Sequence, residues 1–196
     1  SLIDFFLVMN SRNNSLFSYF RNVSNRQILE RLTKSDEVLH LHWIPGVLSR
    51  SDIFELAHQG KRIVWTLHDM FPLTAGCHHS GRCEFFQTTC SNCPQVYDIF
   101  REGVEDQFNK DIARAKNIGH NITLVAPSTW IAEKAKKSSL GSNFNIEIIP
   151  NPVDTEIFAP SATKKSSRSK FNIDSSSFVI GYFSMNLRDP MKGYQD

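Results

Sequence analysis

Two groups of residues in this sequence have the types and spacing to do chemistry, and both fall between Thr66 and Cys93. The chain's four cysteines, Cys77, Cys83, Cys90 and Cys93, follow the pattern C-x5-C-x6-C-x2-C. The closing C-x2-C is the usual half of a tetrahedral zinc knuckle, since two thiolates so spaced reach one ion from a tight turn. In a reducing compartment four thiols on one loop are expected to hold a structural Zn2+; two disulfides, for which three pairings exist, and unligated thiols are the alternatives. His78 or His79 could replace one thiolate. No catalytic metal is expected, because a four-cysteine site has no open coordination position. Just upstream, His68 and Asp69 pair an imidazole with a carboxylate where a hydrophobic run ends. An ionisable ring between a buried strand and a long loop is well placed to meet a ligand.

These residues need a scaffold, and the surrounding pattern describes one. Glu37-Val-Leu-His-Leu-His-Trp43, closed by Pro45-Gly46, predicts a strand and a turn. Residues 51–60 open on Ser-Asp and end on Gly, which predicts a short helix. Arg62 to Leu67 forms a compact β-branched and aromatic run, expected to be a strand buried on both faces. Residues 68–100 have no periodicity; a loop of that length inside a compact domain is uncommon unless functional or cross-linked. A helix over about 101–118 carries Phe108, Ile112 and Ala115 on one side. A strand at 121–126, a helix opening at Ser128 or Thr129 and a strand at 145–149 complete the series. This β, α, β, α alternation implies the α/β class: a Rossmann-like, doubly wound parallel sheet.

In such sheets ligands gather beyond the carboxyl ends of the strands. Those ends place His42 and Trp43, His68 and Asp69, Ser128 and Asn151 at one edge. Plainer roles compete: Ser128 reads first as a helix cap and Asp69 as a turn residue. The Rossmann-like domain is expected over residues 1–152 with its Cys-rich loop at 68–100, a linker over 153–177 with a helical piece near Arg168, and a strand at Phe178-Val-Ile-Gly-Tyr-Phe-Ser184 opening a second domain over 178–196. That last strand lacks the rest of its βα unit, so the sequence reads as truncated. A net charge of +2 over 196 residues argues against nucleic acid as a partner. Without a signal sequence or an apolar span, the chain reads as cytoplasmic.

Several motifs in order resemble bacterial family 4 glycosyltransferases: Val64-Trp-Thr-Leu-His-Asp-Met-Phe-Pro-Leu-Thr-Ala-Gly-Cys-His78, Cys90-Ser-Asn-Cys-Pro94, Val125-Ala-Pro-Ser-Thr-Trp-Ile131 and Ile149-Pro-Asn-Pro-Val-Asp-Thr-Glu-Ile-Phe158. The nearest likeness is to the branch that builds exopolysaccharide, colanic-acid-like polymers and O-antigen, and it runs from about residue 37 to 193. The resemblance implies the GT-B fold, two Rossmann-like domains facing across a cleft, with the acceptor mainly on the first and the nucleotide-sugar donor on the second. It implies a cytoplasmic enzyme compatible with a peripheral place at the inner face of the membrane, acting on a saccharide or lipid-linked saccharide acceptor. By similarity His68 lies near the transferred sugar, Asn151 and Asp154 sit where the chain leaves the first domain, and Lys192 binds the donor diphosphate, a role that suits a point charge.

The departures are specific. Asn186 stands where the family has an arginine, unless Arg188 substitutes, and the Gly-rich loop after the first strand is not visible in residues 1–36. The donor-side glutamates would lie beyond Lys192-Gly193, so the chain as given is expected to bind donor poorly. The leading expectation is therefore the acceptor-binding part of a retaining glycosyltransferase. The rivals are a non-catalytic zinc-stapled interaction module and another GT-B enzyme such as a nucleotide-sugar epimerase.

Overall fold

The computed structural model describes residues 17–18, 26–34, 38–160, 164–174 and 176–184. Lys192, with Asn186 and Arg188, lies outside them. The chain divides into two compact units, Ser1–Asn151 and Pro152–Asp196.

In the first unit, helix α1 (Arg26–Lys34) precedes β1 (Val38–Leu41), α2 (Arg50–His58), β2 (Arg62–Thr66), α3 (Asp98–Ile118), β3 (Ile122–Ala126), α4 (Thr129–Lys137) and β4 (Asn145–Ile148). The four strands form one all-parallel sheet in the order β1-β2-β3-β4. This is the expected α/β architecture, with a helix in each crossover. The strand order advances one way only, so the reversal that defines a doubly wound sheet is not among the described residues.

That order bears on burial. Right-handed crossovers advancing in one direction lay their helices on one face of the sheet. Along β1 and β3 alternate residues are buried, and the register aligns Leu39 with Ile63 and Ile63 with Ile122, then Leu41 with Trp65 and Trp65 with Leu124. All of these side chains are buried, and Ile122 and Leu124 are completely so. The intervening Val64, Thr123 and Val125 are only half-buried. The expectation that β2 is buried on both faces is thus corrected: its second face is covered only in part.

Local sequence explains the helix limits. Ser49 and Asp52 form a reciprocal capping box at the start of α2, Ser49 Oγ accepting from Asp52 N at 3.1 Å and Asp52 Oδ2 from Ser49 N at 2.8 Å. The helix ends at Gly60 (φ +89°), where Gly60 N–H bonds Ala57 O and Lys61 N–H bonds Leu56 O. That pairing is a Schellman motif, and its left-handed position favours glycine. Helix α3 buries Val104, Phe108, Asp111, Ala115 and Ile118, a stripe at steps of four and three that packs on α2, and its apolar members join the hydrophobic core. Lys134, Lys136 and Lys137 crowd the last turn of α4, where cations complement the helix dipole.

In the second unit, α5 (Lys164–Lys170) supplies the expected helical piece. Arg168 closes its C-terminal turn by donating to Asp174 O at 2.7 Å and Ser177 O at 2.8 Å. Residues 178–184, expected to be a strand, have no regular structure, and Phe178, Ile180 and Phe183 are exposed. The β-type composition is present, but no neighbouring strand among the described residues offers the ladder that a strand requires.

Candidate functional site at the carboxyl edge of the sheet

The chain leaves β1 and β2 side by side, and the segments beyond them stay in contact. Three side-chain pairs with the same 26-residue separation follow one another: His40 Nε2 with Thr66 Oγ1 at 2.9 Å, His42 Nδ1 with His68 Nε2 at 2.8 Å, and Trp43 Nε1–H donating to Asp69 Oδ2 at 3.0 Å. The two parallel strands are paired at a 24-residue offset, so the side chains reach one step diagonally across. Of the six residues read from the strand ends, the four that follow β1 and β2, His42, Trp43, His68 and Asp69, therefore meet at one place. They line a small, open hollow with Thr66 and Phe71.

The His42–His68 contact fixes proton positions. One ring must donate and the other accept, so the two facing nitrogens share one proton. The rings are stacked at 5.1 Å with 30° between planes, and both are exposed. His68 Nε2 is committed to His42, which leaves Nδ1 without a partner among the described residues.

Asp69 is held from three sides. Its Oδ1 accepts from Phe71 N–H at 2.9 Å, the turn role that its sequence position allowed. Its Oδ2 takes the Trp43 indole and, at 2.5 Å, His78 Nδ1. His78 Nε2 meets Ser18 Oγ at 2.7 Å. Serine, imidazole and carboxylate thus stand in the order that nucleophilic hydrolases use. Here, however, the imidazole is buried, with Phe71 stacked on it at 5.4 Å and Trp43 tilted against it at 5.9 Å. We read this line as a clamp that closes residues 69–78 into a loop, reinforced by Met70 N–H on His78 O at 2.9 Å. Both His78 nitrogens are occupied, so in this conformation His78 does not stand in for a thiolate. His79 Nδ1 accepts from Gly81 N–H at 3.1 Å and its ring stacks on Trp130.

A second clamp comes from beneath. Arg50 donates to Asp111 Oδ2, Phe71 O and Thr74 O, each at 2.7 Å, and both charged groups are buried. From the end of α4, Ser138 Oγ donates to Leu73 O at 2.7 Å and accepts from Gly141 N at 2.9 Å. Sequence reading missed Ser18, Arg50, Asp111 and Ser138. Only Asp111 left a trace, a carboxylate at a position of α3 that helical spacing assigns to the buried stripe.

Cys77, Cys83, Cys90 and Cys93 are all free thiols, and all four line one hollow of about 10 Å³, with Phe17 and Phe86 among its walls. Burial pushes the Cys77 thiol far up, the Cys90 thiol up to about 12 and the Cys93 thiol up, and repulsion among neighbouring thiolates adds to it. In the conformation described, and among the described residues, no three His, Cys, Asp or Glu side chains are gathered closely enough to hold an ion.

Of the remaining expected residues, Ser128 is the N-cap of α4, its Oγ accepting from Ile131 N–H at 3.4 Å. Asn151 is exposed at the last position of the first unit. Among the described residues no helix is long and apolar enough to cross a membrane. Fold and site together define a parallel, Rossmann-like α/β chain with a polar, histidine-bearing carboxyl edge. Comparison with protein-family profiles, curated proteins and solved structures finds no match.

Proposed function

We propose that this chain is the acceptor-side part of a nucleotide-sugar-dependent, retaining glycosyltransferase that builds a surface polysaccharide. The sequence resemblance supplies the reaction class. The structural observation that supports it is the exposed His42–His68 pair beside an immobilised Asp69 and the exposed Trp43 ring. A sugar presents apolar C–H faces and a rim of hydroxyls; an indole face suits the first, and fixed imidazole and carboxylate groups suit the second.

In the transfer, the bond from the anomeric carbon to the leaving diphosphate breaks, a bond to the acceptor oxygen forms, and that hydroxyl's proton passes to the departing diphosphate. Catalysis of this kind rests on positioning and on charge stabilisation at the diphosphate. His68 Nδ1 is the atom offered to the donor sugar or acceptor hydroxyl. His42 holds its tautomer, and Asp69 orients the acceptor. Lys192 is assigned to the diphosphate, Ser128 and Asn151 to the rim of the substrate site, and no metal is required for the chemistry.

Because this acceptor-side part is expected to bind donor poorly and to be inactive alone, the test incubates its full-length parent with labelled nucleotide sugars and saccharide or lipid-linked acceptors. Acceptor-dependent transfer with the donor's anomeric configuration retained is expected, and His68→Ala should lower kcat/KM by about 100-fold or more, the scale of one lost transition-state contact. Sugar interconversion without an acceptor would identify an epimerase instead. Absence of transfer from every donor would favour an interaction module, and transfer unchanged in His68→Ala would remove His68 from the site.

A further inference from the structure

The four-cysteine cluster lies apart from the proposed sugar chemistry. We propose that Cys77, Cys83, Cys90 and Cys93 bind one structural Zn2+ as four thiolates, drawing the walls of their shared hollow together. Two independent features of the fold support this. The first is convergence: cysteines separated by up to 16 positions, on a loop with only two short 3-10 turns, all line one small hollow instead of dispersing over the surface. The second is the backbone of the closing C-x2-C, where two non-glycine residues, Cys90 and Asn92, both take left-handed conformations.

The Cys90-Ser-Asn-Cys93 turn has the backbone for a knuckle. Cys90 (φ +54°) and Asn92 (φ +52°) are left-handed, which turns the chain tightly between the two cysteines of the pair. Binding releases one proton from each of the four thiols and leaves a site of net charge −2. Arg50 acts on Cys90 and Arg101 on Cys93 as nearby cations, and they offset that charge. In this conformation, and among the described residues, no three of the thiols are gathered closely enough for one ion. Ligation at about 2.3 Å from metal to sulfur therefore requires the loop over 77–93 to contract. Four thiolates saturate the ion, so its role is to hold the loop.

The test is elemental analysis of the full chain purified under reducing conditions without chelator, paired with Co2+ titration of the metal-free protein. About one zinc per chain is expected, with four thiols shielded from alkylation until a chelator is added. Cobalt should give the intense visible bands of a tetrahedral thiolate site, and Cys90→Ser/Cys93→Ser should retain less than about a tenth of the zinc. Metal-free protein with four reactive thiols, an intact mass lowered by two disulfides, or weak octahedral cobalt bands would each overturn the proposal. The cobalt and mass readings use the unsubstituted chain, so misfolding of the variant does not obscure them.

Discussion

Removing the Asp111 carboxylate should be among the most damaging single changes in the first unit. The Arg50–Asp111 pair is 2.7 Å long with side chains only 9% and 2% exposed, so water screens neither charge. Exposed ion pairs contribute less than about 1 kcal/mol, but deleting one partner of a buried pair strands the other and costs about 3–5 kcal/mol. In Asp111→Ala the guanidinium keeps Phe71 O and Thr74 O but loses its counter-charge, and Gln107 Nε2 loses its acceptor. Set against total stabilities of about 5–15 kcal/mol, the loss corresponds to roughly 6–20 °C in Tm for a unit of this size. Arg50→Met should cost at least as much, because it leaves both carbonyls without a donor as well as stranding Asp111. Urea unfolding followed by circular dichroism, on both single variants and on Arg50→Met/Asp111→Leu, measures the coupling. The double variant should be more stable than the sum of the singles predicts, by at least about 1 kcal/mol. Asp111→Ala costing less than about 1 kcal/mol would refute the reasoning, since the charge would then be solvated in a way its burial forbids.

Ser128→Ala separates a cap from a ligand contact: loss of the Ile131 N–H bond should cost about 1 kcal/mol of stability. A fall in acceptor affinity beyond that seen in a stability-matched control would give Ser128 the second role. Gly119→Ala places a methyl group 1.9 Å from Asn143 O and 3.0 Å from its carbonyl carbon, both backbone atoms, so an overpacking cost of about 1–3 kcal/mol or more is expected in chemical denaturation. Ser138→Ala removes the donor to Leu73 O and the acceptor for Gly141 N from a fully buried site, at a cost of about 1–3 kcal/mol; a neutral result would show that the turn relaxes to find water.

The sequence made the carboxyl edge legible because strand ends are local features. Pro45-Gly46 after β1 and the abrupt end of the apolar run at Leu67 locate His42, Trp43, His68 and Asp69 without knowledge of the pairing. What it did not reveal was which side chain would meet which. The 26-residue offset follows from the ladder register, and a one-residue slip would have turned His42 and His68 to opposite faces. Arg50 and Asp111 are separated by 61 positions, and Ser138 and Leu73 by 65. Partners at such distances are chosen by tertiary packing, not by any pattern in a short window. The strand expected at 178–184 failed for the converse reason: β-type composition is local, but a strand exists only with a neighbour.

The anchors divide the segment after β2 into two parts with separate sources of order. Residues 69–78 are tied by Arg50, Ser138 and the Asp69–His78 clamp, which come from helices already packed in the core or from the segment itself. Residues 80–95 have fewer ties for their length: buried Phe86, the Ser139 N–H and hydroxyl on Phe86 O and Thr88 O, Arg101 Nε on Cys93 O at 3.3 Å, and the Gln95 side chain on His79 O at 2.8 Å. Three of the four cysteines lie in this second part. A metal at their centre would therefore supply order where the protein's own bonds are sparse, while the wall beside His68 stands on contacts that need no metal. It follows that chelation should raise hydrogen exchange across 80–95 well before it reaches 69–78, and that the proposed sugar site and the metal site share a loop without depending on each other for their shape.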